Sequence, residues 1–277
     1  MLLTTLSTAQ RLEEADILHL TRQVEACSKF FPDQKSQIIS VGNGAAGITL
    51  PVFGRKLNHI VSYGMAGPVS TEDLAKAEEW YTEIGVDFTE IDLCPHADAS
   101  AIQVLNSRGY SVNGFINQYA RALTDEDLEE AEVPGMTILR LPADRAHEFP
   151  AMSLAGYKDN GRLPLLLETL GRIAVFREDT SLYFAMVDGK VAGSAGMALI
   201  KTSKGGVAHM YIDSTLPEYR GRGIQAALLK ARMADARKAG YDLASVGARP
   251  QNGSSRNIER AGFSLAYAKT TFVKVHK

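Results

Sequence analysis

Two stretches of this chain end in the same way. "IGVDFTEIDLCPHADASAIQVLNSRGYSVNGFINQYARAL" starts at residue 84, and "AGYDLASVGARPQNGSSRNIERAGFSLAYAKTTFVKV" starts at residue 239. Gly240 aligns with Gly85, Asp242 with Asp87, Pro250 with Pro95, and Gly262-Phe263 with Gly109-Tyr110. The offset falls from 155 to 153, so a two-residue indel lies between. Chance likeness of two strand–helix–strand endings is the alternative. A repeat of this length most simply means two domains of one fold. The acidic run "TDEDLEEAEVPG" reads as an exposed linker or short helix between them, which places the domains at 1–130 and 131–277.

The pattern along each half is mixed. Leu12, Ala15, Leu18, Leu20 and Val24 recur at near-helical spacing. The strand-like runs "QIISV", "AGITLPVF" and "NHIVSYG" follow, and Ser70 or Thr71 can cap a helix ending at Gly85. Helices and strands alternating in this way imply an α/β (α+β) fold, in which each domain is a mixed sheet flanked by helices. With 45% hydrophobic residues the chain can build full cores, and a net charge of −2 argues against a nucleic-acid or membrane partner. No apolar run approaches a membrane span, and the first twenty residues lack a basic leader. Cys27 and Cys94 suit a reducing cytoplasm, the expected location, and no metal-spaced Cys/His cluster is present.

Only the second half carries "PEYRGRGIQAALL". A strand, "GGVAHMYIDST", precedes it. Ile224, Ala227, Leu228, Ala231 and Ala234 then form an apolar helical stripe, with Arg232 and Asp235 largely off it. Gly221 and Gly223 therefore sit at a helix N-terminus, where unpaired N–H groups and the helix dipole favour an anion. Bare backbone lets a ligand approach, and Arg220 and Arg222 add charge. A phosphate cradle fits these features best. Gly221, Gly223 and Ala226 also spell G-x-G-x-x-A, but four residues separate the glycines from the strand, unlike a dinucleotide fold. An exposed arginine turn is the bland reading.

The loop resembles the acyl-CoA pyrophosphate loop of the GNAT superfamily of N-acyltransferases, Q/R-x-x-G-x-G/A. Arg220 and Gly223 match it, Gln225 departs from it, and Ala226 supplies a small residue one step later. "SSRNIERAGFSLAY" is similar to the family's closing helix and strand. The resemblance covers about 131–277, and the repeat extends it to a tandem GNAT protein whose first half lacks the loop. It implies two twisted mixed sheets and a splay between strands at Asp213-Ser214-Thr215. It also implies acetyl-CoA as co-substrate and a small amine as acceptor. Backbone groups of Arg220, Gly221, Arg222, Gly223, Ile224, Gln225 and Ala226, with Ser214, Thr215 and Asn257, are the expected acetyl-CoA contacts, one ligand per chain. A non-catalytic acyl-CoA-binding module is the second function class.

The family's usual acid, a tyrosine four residues before the G-F glycine, is replaced by Ile258. Tyr267, on the last strand, is the substitute candidate, or else a packed aromatic whose hydroxyl is satisfied at the surface. Strand alternation places His209, Tyr211, Asp213 and Thr215 on one face, with His209 a structural histidine. The resemblance sets Thr215 beside the pantetheine, so Asp213 is either the candidate general base or a carboxylate that caps the strand or pairs with an arginine. Tyr157, Tyr183 and Phe184 either line an acceptor pocket or fill core.

Overall fold

The computed structural model describes residues 4–129, 133–157, 161–250 and 253–276; the expected boundary at 130–131 lies outside them. The elements run α1 (Leu6–Phe30), β1 (Gln37–Val41), β2 (Gly44–Ile48), β3 (Ile60–Val61), α2 (Thr71–Glu83), β4 (Phe88–Leu93), α3 (Ala99–Ser107) and β5 (Ser111–Ala122). They continue with β6 (Met136–Arg140), α4 (Phe149–Gly156), α5 (Pro164–Phe176), β7 (Thr180–Val187), β8 (Lys190–Thr202) and β9 (Gly205–Thr215). The last four are α6 (Ile224–Lys238), β10 (Leu243–Ala248), α7 (Gly253–Arg260) and β11 (Ser264–Val275). Pro51 starts a 3-10 turn, so the run "AGITLPVF" stops being a strand at Ile48. A proline has no N–H to offer a ladder.

The chain divides into two compact units. An N-terminal unit holds Leu3–Gln118, Thr202–Lys204 and Ala266–Lys277; a C-terminal unit holds Tyr119–Lys201 and Gly205–Leu265. Most of β11 thus belongs with the N-terminal unit, although it lies within 131–277.

In the N-terminal unit the strand order is β1-β2-β3-β4-β11-β5. β3 and β4 run parallel, and β11 pairs antiparallel with β4 from Thr270↔Leu93 to Val275↔Phe88. Ile48, Ile60, Tyr81, Ile91 and Leu105 join the sheet to α2 and α3, while Leu20 and Val24 of α1 pack on Ala45 and Val61. In the C-terminal unit the order is β6-β7-β8-β9-β10, with the end of β5 next to β10. Met210, Leu228, Met233, Ile258 and Phe263 form one core beneath α6 and α7, and Phe149, Leu182 and Phe184 form another beside α4 and α5. Gly240 ends α6 at φ 85°, its N–H bonding Arg237 O while Tyr241 N–H bonds Ala236 O. This closing turn calls for the left-handed region that glycine adopts cheaply.

A polar seam runs through the N-terminal unit. Lys269 Nζ lies 2.7 Å from Glu13 Oε1 and 2.6 Å from Asp16 Oδ2; Tyr267 and Ser62 donate to the Glu13 carboxylate at 2.7 and 2.9 Å. Arg55 forks onto Asp92 at 2.8 and 3.0 Å and reaches Glu90 at 2.6 Å. Beside Asp92 stands His59, 16% exposed, its Nδ1 enclosed without a partner. Burial, against the pull of Asp92, pushes its pKa down to about 4.

The unfolded chain takes up the His59 proton at about 6.5, before the folded chain does. This group's stabilisation is therefore complete above that pH and is lost as pH falls toward 4, on the order of 3 kcal/mol. Melting curves between pH 7 and 4.5 should fall more steeply for the wild-type chain than for His59→Leu. Parallel curves would remove His59 from the acid response.

Candidate acyl-donor site

The loop after β9 is built to leave backbone exposed. Pro217–Tyr219 form a 3-10 turn, Gly221 takes φ 79°, and Gly223 takes φ 78° as the N-cap of α6. Gly223 has no side chain to cap the helix, and the first helical bond runs from Ala227 N–H to Gly223 O at 3.1 Å. The N–H groups of Ile224, Gln225 and Ala226 therefore lack an intrahelical acceptor. A Cβ added at Gly221 or Gly223 would meet nothing within 4 Å, so the space above both is open. Arg220, Gly221, Arg222 and Gly223 are exposed, whereas the Ile224 side chain is buried and can offer only its backbone. Arg222 stacks over Tyr219 at 5.4 Å, and Arg220 donates to Gly156 O at 3.3 Å.

The Gln225 departure has a structural explanation. Its amide donates to Ser254 Oγ at 2.7 Å and accepts from Asn257 Nδ2 at 3.0 Å, which ties α6 to α7. Gln225 and Asn257, both expected at the acyl donor, are joined directly to each other. Ile258 is fully buried in the core, so nothing at that position can carry a proton.

Beside the loop the sheet opens. The parallel pairing of β9 with β10 covers Ala208↔Ala244 and His209↔Ser245, while β9 runs on to Thr215. His209 Nδ1 sits 3.1 Å from Ser245 Oγ at this last rung, a structural position. Three residues further, Ile212 adopts φ 53°. A β-branched residue there costs ~1–3 kcal/mol and marks a break in the strand.

The break explains a correction. Tyr211 and Ile212 both pack toward the α4–α5 core, so alternation fails and Asp213 turns to the opposite face. There Arg232 Nη1 and Nη2 grip its two carboxylate oxygens at 2.7 and 2.8 Å. Both carboxylate oxygens are thus engaged by one guanidinium, which matches the arginine-paired reading of Asp213 and gives no support to the general-base one. Arg232 itself is fully buried, not off the stripe as the sequence suggested, and also donates to Gly196 O and Leu228 O. Its spacing of four from Leu228 and eight from Ile224 puts it on the buried face; that signal was present in the sequence.

Tyr267 needs a second correction. It belongs to the N-terminal unit, where its hydroxyl donates to Glu13; burial, reinforced by the Glu13 charge, raises its pKa far above the tyrosine range. Its proton is committed to Glu13, which gives no support to the acid role expected of it. Ser214 is buried, its hydroxyl paired with Ser194 at 2.9 Å, so only its backbone is available; Thr215 is half-buried. Tyr157 donates to Asp213 O at 2.5 Å, Tyr183 to Asp235, and Phe184 stacks on Phe149. Gly193 and Gly156 have no room for a Cβ: the first would meet Ser214 O at 2.8 Å, the second Ser214 Oγ at 2.4 Å.

The N-terminal unit is built differently after its own third strand. Ser62, just after β3, also has a positive φ, 60°. There Gly64 O accepts from Asp98 N–H at 2.9 Å, a Cβ added at Gly64 would meet Ala97 and Ala101, and Tyr63 is fully buried. At the start of α2 the Ser70 hydroxyl caps Asp73 N–H, and Glu72 and Asp73 add negative charge. An anion has no welcome there.

Residues 143–263 match the acetyltransferase (GNAT) family. The chain carries a GNAT acetyltransferase domain. The match spans the open strand pair, the glycine loop and α6. The GNAT fold extends to the whole chain: a GCN5-related N-acetyltransferase from Kribbella flavida superposes with TM-score 0.66 at 16% identity, covering 96% of this chain and 95% of that one. A tandem GNAT protein from the clavulanic acid biosynthesis pathway gives 0.59 at 12%, covering 99% and 97%. A functionally unknown conserved protein from Staphylococcus epidermidis gives 0.60 at 12%, covering 89% and 98%. At these identities the likeness is one of fold. No curated protein matches the sequence. Among the described residues no helix is long and apolar enough to cross a membrane, and no His/Cys/Asp/Glu group is arranged to hold a metal.

Proposed function

We propose that the C-terminal GNAT domain transfers the acetyl group of acetyl-CoA to a small primary amine by direct attack. The observation that carries this is the bare N-terminus of α6, opening beside a strand pair that separates after His209↔Ser245. The N–H groups of Arg222 to Ala226 and the helix dipole suit a pyrophosphate. Arg220 adds charge, and in this reading the backbone of Ser214 and Thr215 pairs with an extended donor arm.

In the reaction the amine nitrogen attacks the thioester carbonyl, the C–S bond breaks, the ammonium proton leaves, and the thiolate takes one up. Asp213 is engaged by Arg232 and Tyr267 by Glu13, so neither is assigned to these proton steps. The reading rests on holding the two substrates together, the largest contribution available without an assigned acid or base. The commitment of both side chains, with buried Ile258, favours the second reading: a GNAT module that binds acyl-CoA without turnover.

One pair of measurements separates these readings. Titration calorimetry with acetyl-CoA should give one site per chain, the N-terminal unit contributing none. Free-thiol release from acetyl-CoA with spermidine, glucosamine and lysine amide should then show turnover with at least one amine. Binding without thiol release would establish the non-catalytic module. No binding would overturn both.

A further inference from the structure

Asp213 is held from both faces of its sheet, and the two holds reach different parts of the domain. Tyr157, following α4, donates to its carbonyl; Arg232, from α6, grips its carboxylate. Between them lies the peptide that follows the positive-φ residue Ile212 and leads into Ser214 and Thr215. Arg232 also donates to Gly196 O on β8 and to Leu228 O on α6, so one guanidinium ties β8, β9 and α6 together. α6 is the helix whose first residue closes the glycine loop, two turns before Arg232. The pair is only partly hidden: Arg232 is fully buried, while the Asp213 side chain keeps 16% of its surface.

From this geometry we infer that Asp213, Arg232 and Tyr157 are positioning residues for acyl transfer. They hold the strained segment 212–215 at a set distance from the phosphate loop, so that the thioester carbonyl lies where the amine attacks. The inference rests on the acyl-transfer reading above. A buried ion pair contributes little net stability when both partners are exchanged for apolar groups, so stability alone does not explain this arrangement. Removing one partner strands a buried charge, which makes single variants poor reporters. Misplacing a bound substrate by ~1 Å through a distant change lowers turnover by ~10²-fold.

The test compares the wild-type chain, Asp213→Leu/Arg232→Met and Tyr157→Phe. The double variant should melt within a few degrees of wild type and bind acetyl-CoA within about threefold of its affinity. Its kcat for thiol release, with the amine that the wild-type chain accepts best, should fall by ~10²-fold. Amide exchange in a peptide covering 212–216 should quicken. Tyr157→Phe loses one hydrogen bond and should lower kcat by about tenfold at unchanged acetyl-CoA affinity, a result that stands even where the double variant fails to fold. Wild-type kcat in either folded variant overturns the positioning role and leaves the acyl-transfer reading intact. A wild-type chain that does not bind acetyl-CoA, or binds it without turnover, overturns both.

Discussion

Gly223→Val is expected to weaken acetyl-CoA binding by at least ~10²-fold while the chain stays folded. Hydrogen bonds to a charged group are worth about 1.5–3 kcal/mol each, and losing one or two reaches that factor. A valine Cβ at this N-cap meets no protein atom within 4 Å, so the obstruction falls on whatever occupies the cradle. Backbone strain adds a separate cost, because Gly223 sits at φ 78°. Gly223→Asn separates the two effects: asparagine tolerates the left-handed region but still places a Cβ in the cradle. Both variants should lose affinity by calorimetric titration, and only the valine variant should lose several degrees of melting temperature. Full affinity in either would remove the loop from the acetyl-CoA site.

Lys269→Met should unfold the N-terminal unit's packing far more than an ordinary lysine change. Lys269 is 3% exposed and neutralises Glu13 and Asp16. Burial works to lower its pKa, but Asp16 and Glu13 outweigh this and raise it above the lysine range. Its stabilisation is thus present at every pH below the unfolded value and fades only as strong alkali reaches the folded one. Deleting one partner of a buried pair costs ~3–5 kcal/mol, on the order of 10 °C in melting temperature. Adding Glu13→Gln should return part of the loss. A fall of less than about 3 °C for Lys269→Met would show that water already screens the cluster.

Much of the site was legible in the sequence because its signals are local. Two glycines alternating with two arginines, a stop at Pro217 and an apolar stripe from Ile224 place a bare helix N-terminus without any knowledge of partners. The repeat around Gly85 and Gly240 likewise exposed the shared fold. What escaped reading depended on long-range geometry. Ile212 carries no glycine to mark the break in β9, so strict alternation put Asp213 on the wrong face. Arg232 looked solvated because arginine usually is, though its spacing from Leu228 lay on the buried stripe. Tyr267 was chosen as a tyrosine on the last strand, and no local pattern says that β11 pairs with β4.

That pairing has a consequence for synthesis. As the chain leaves the ribosome, β4 and β5 emerge together, but their common neighbour β11 follows about 140 residues later, on the order of 10 s at ~5–20 residues per second. Until then the N-terminal unit holds an unfilled place in its sheet, with Phe272 missing from its core and Lys269 missing beside Glu13. Domains usually finish in the order in which they are made; here the first-made unit waits for the last strand.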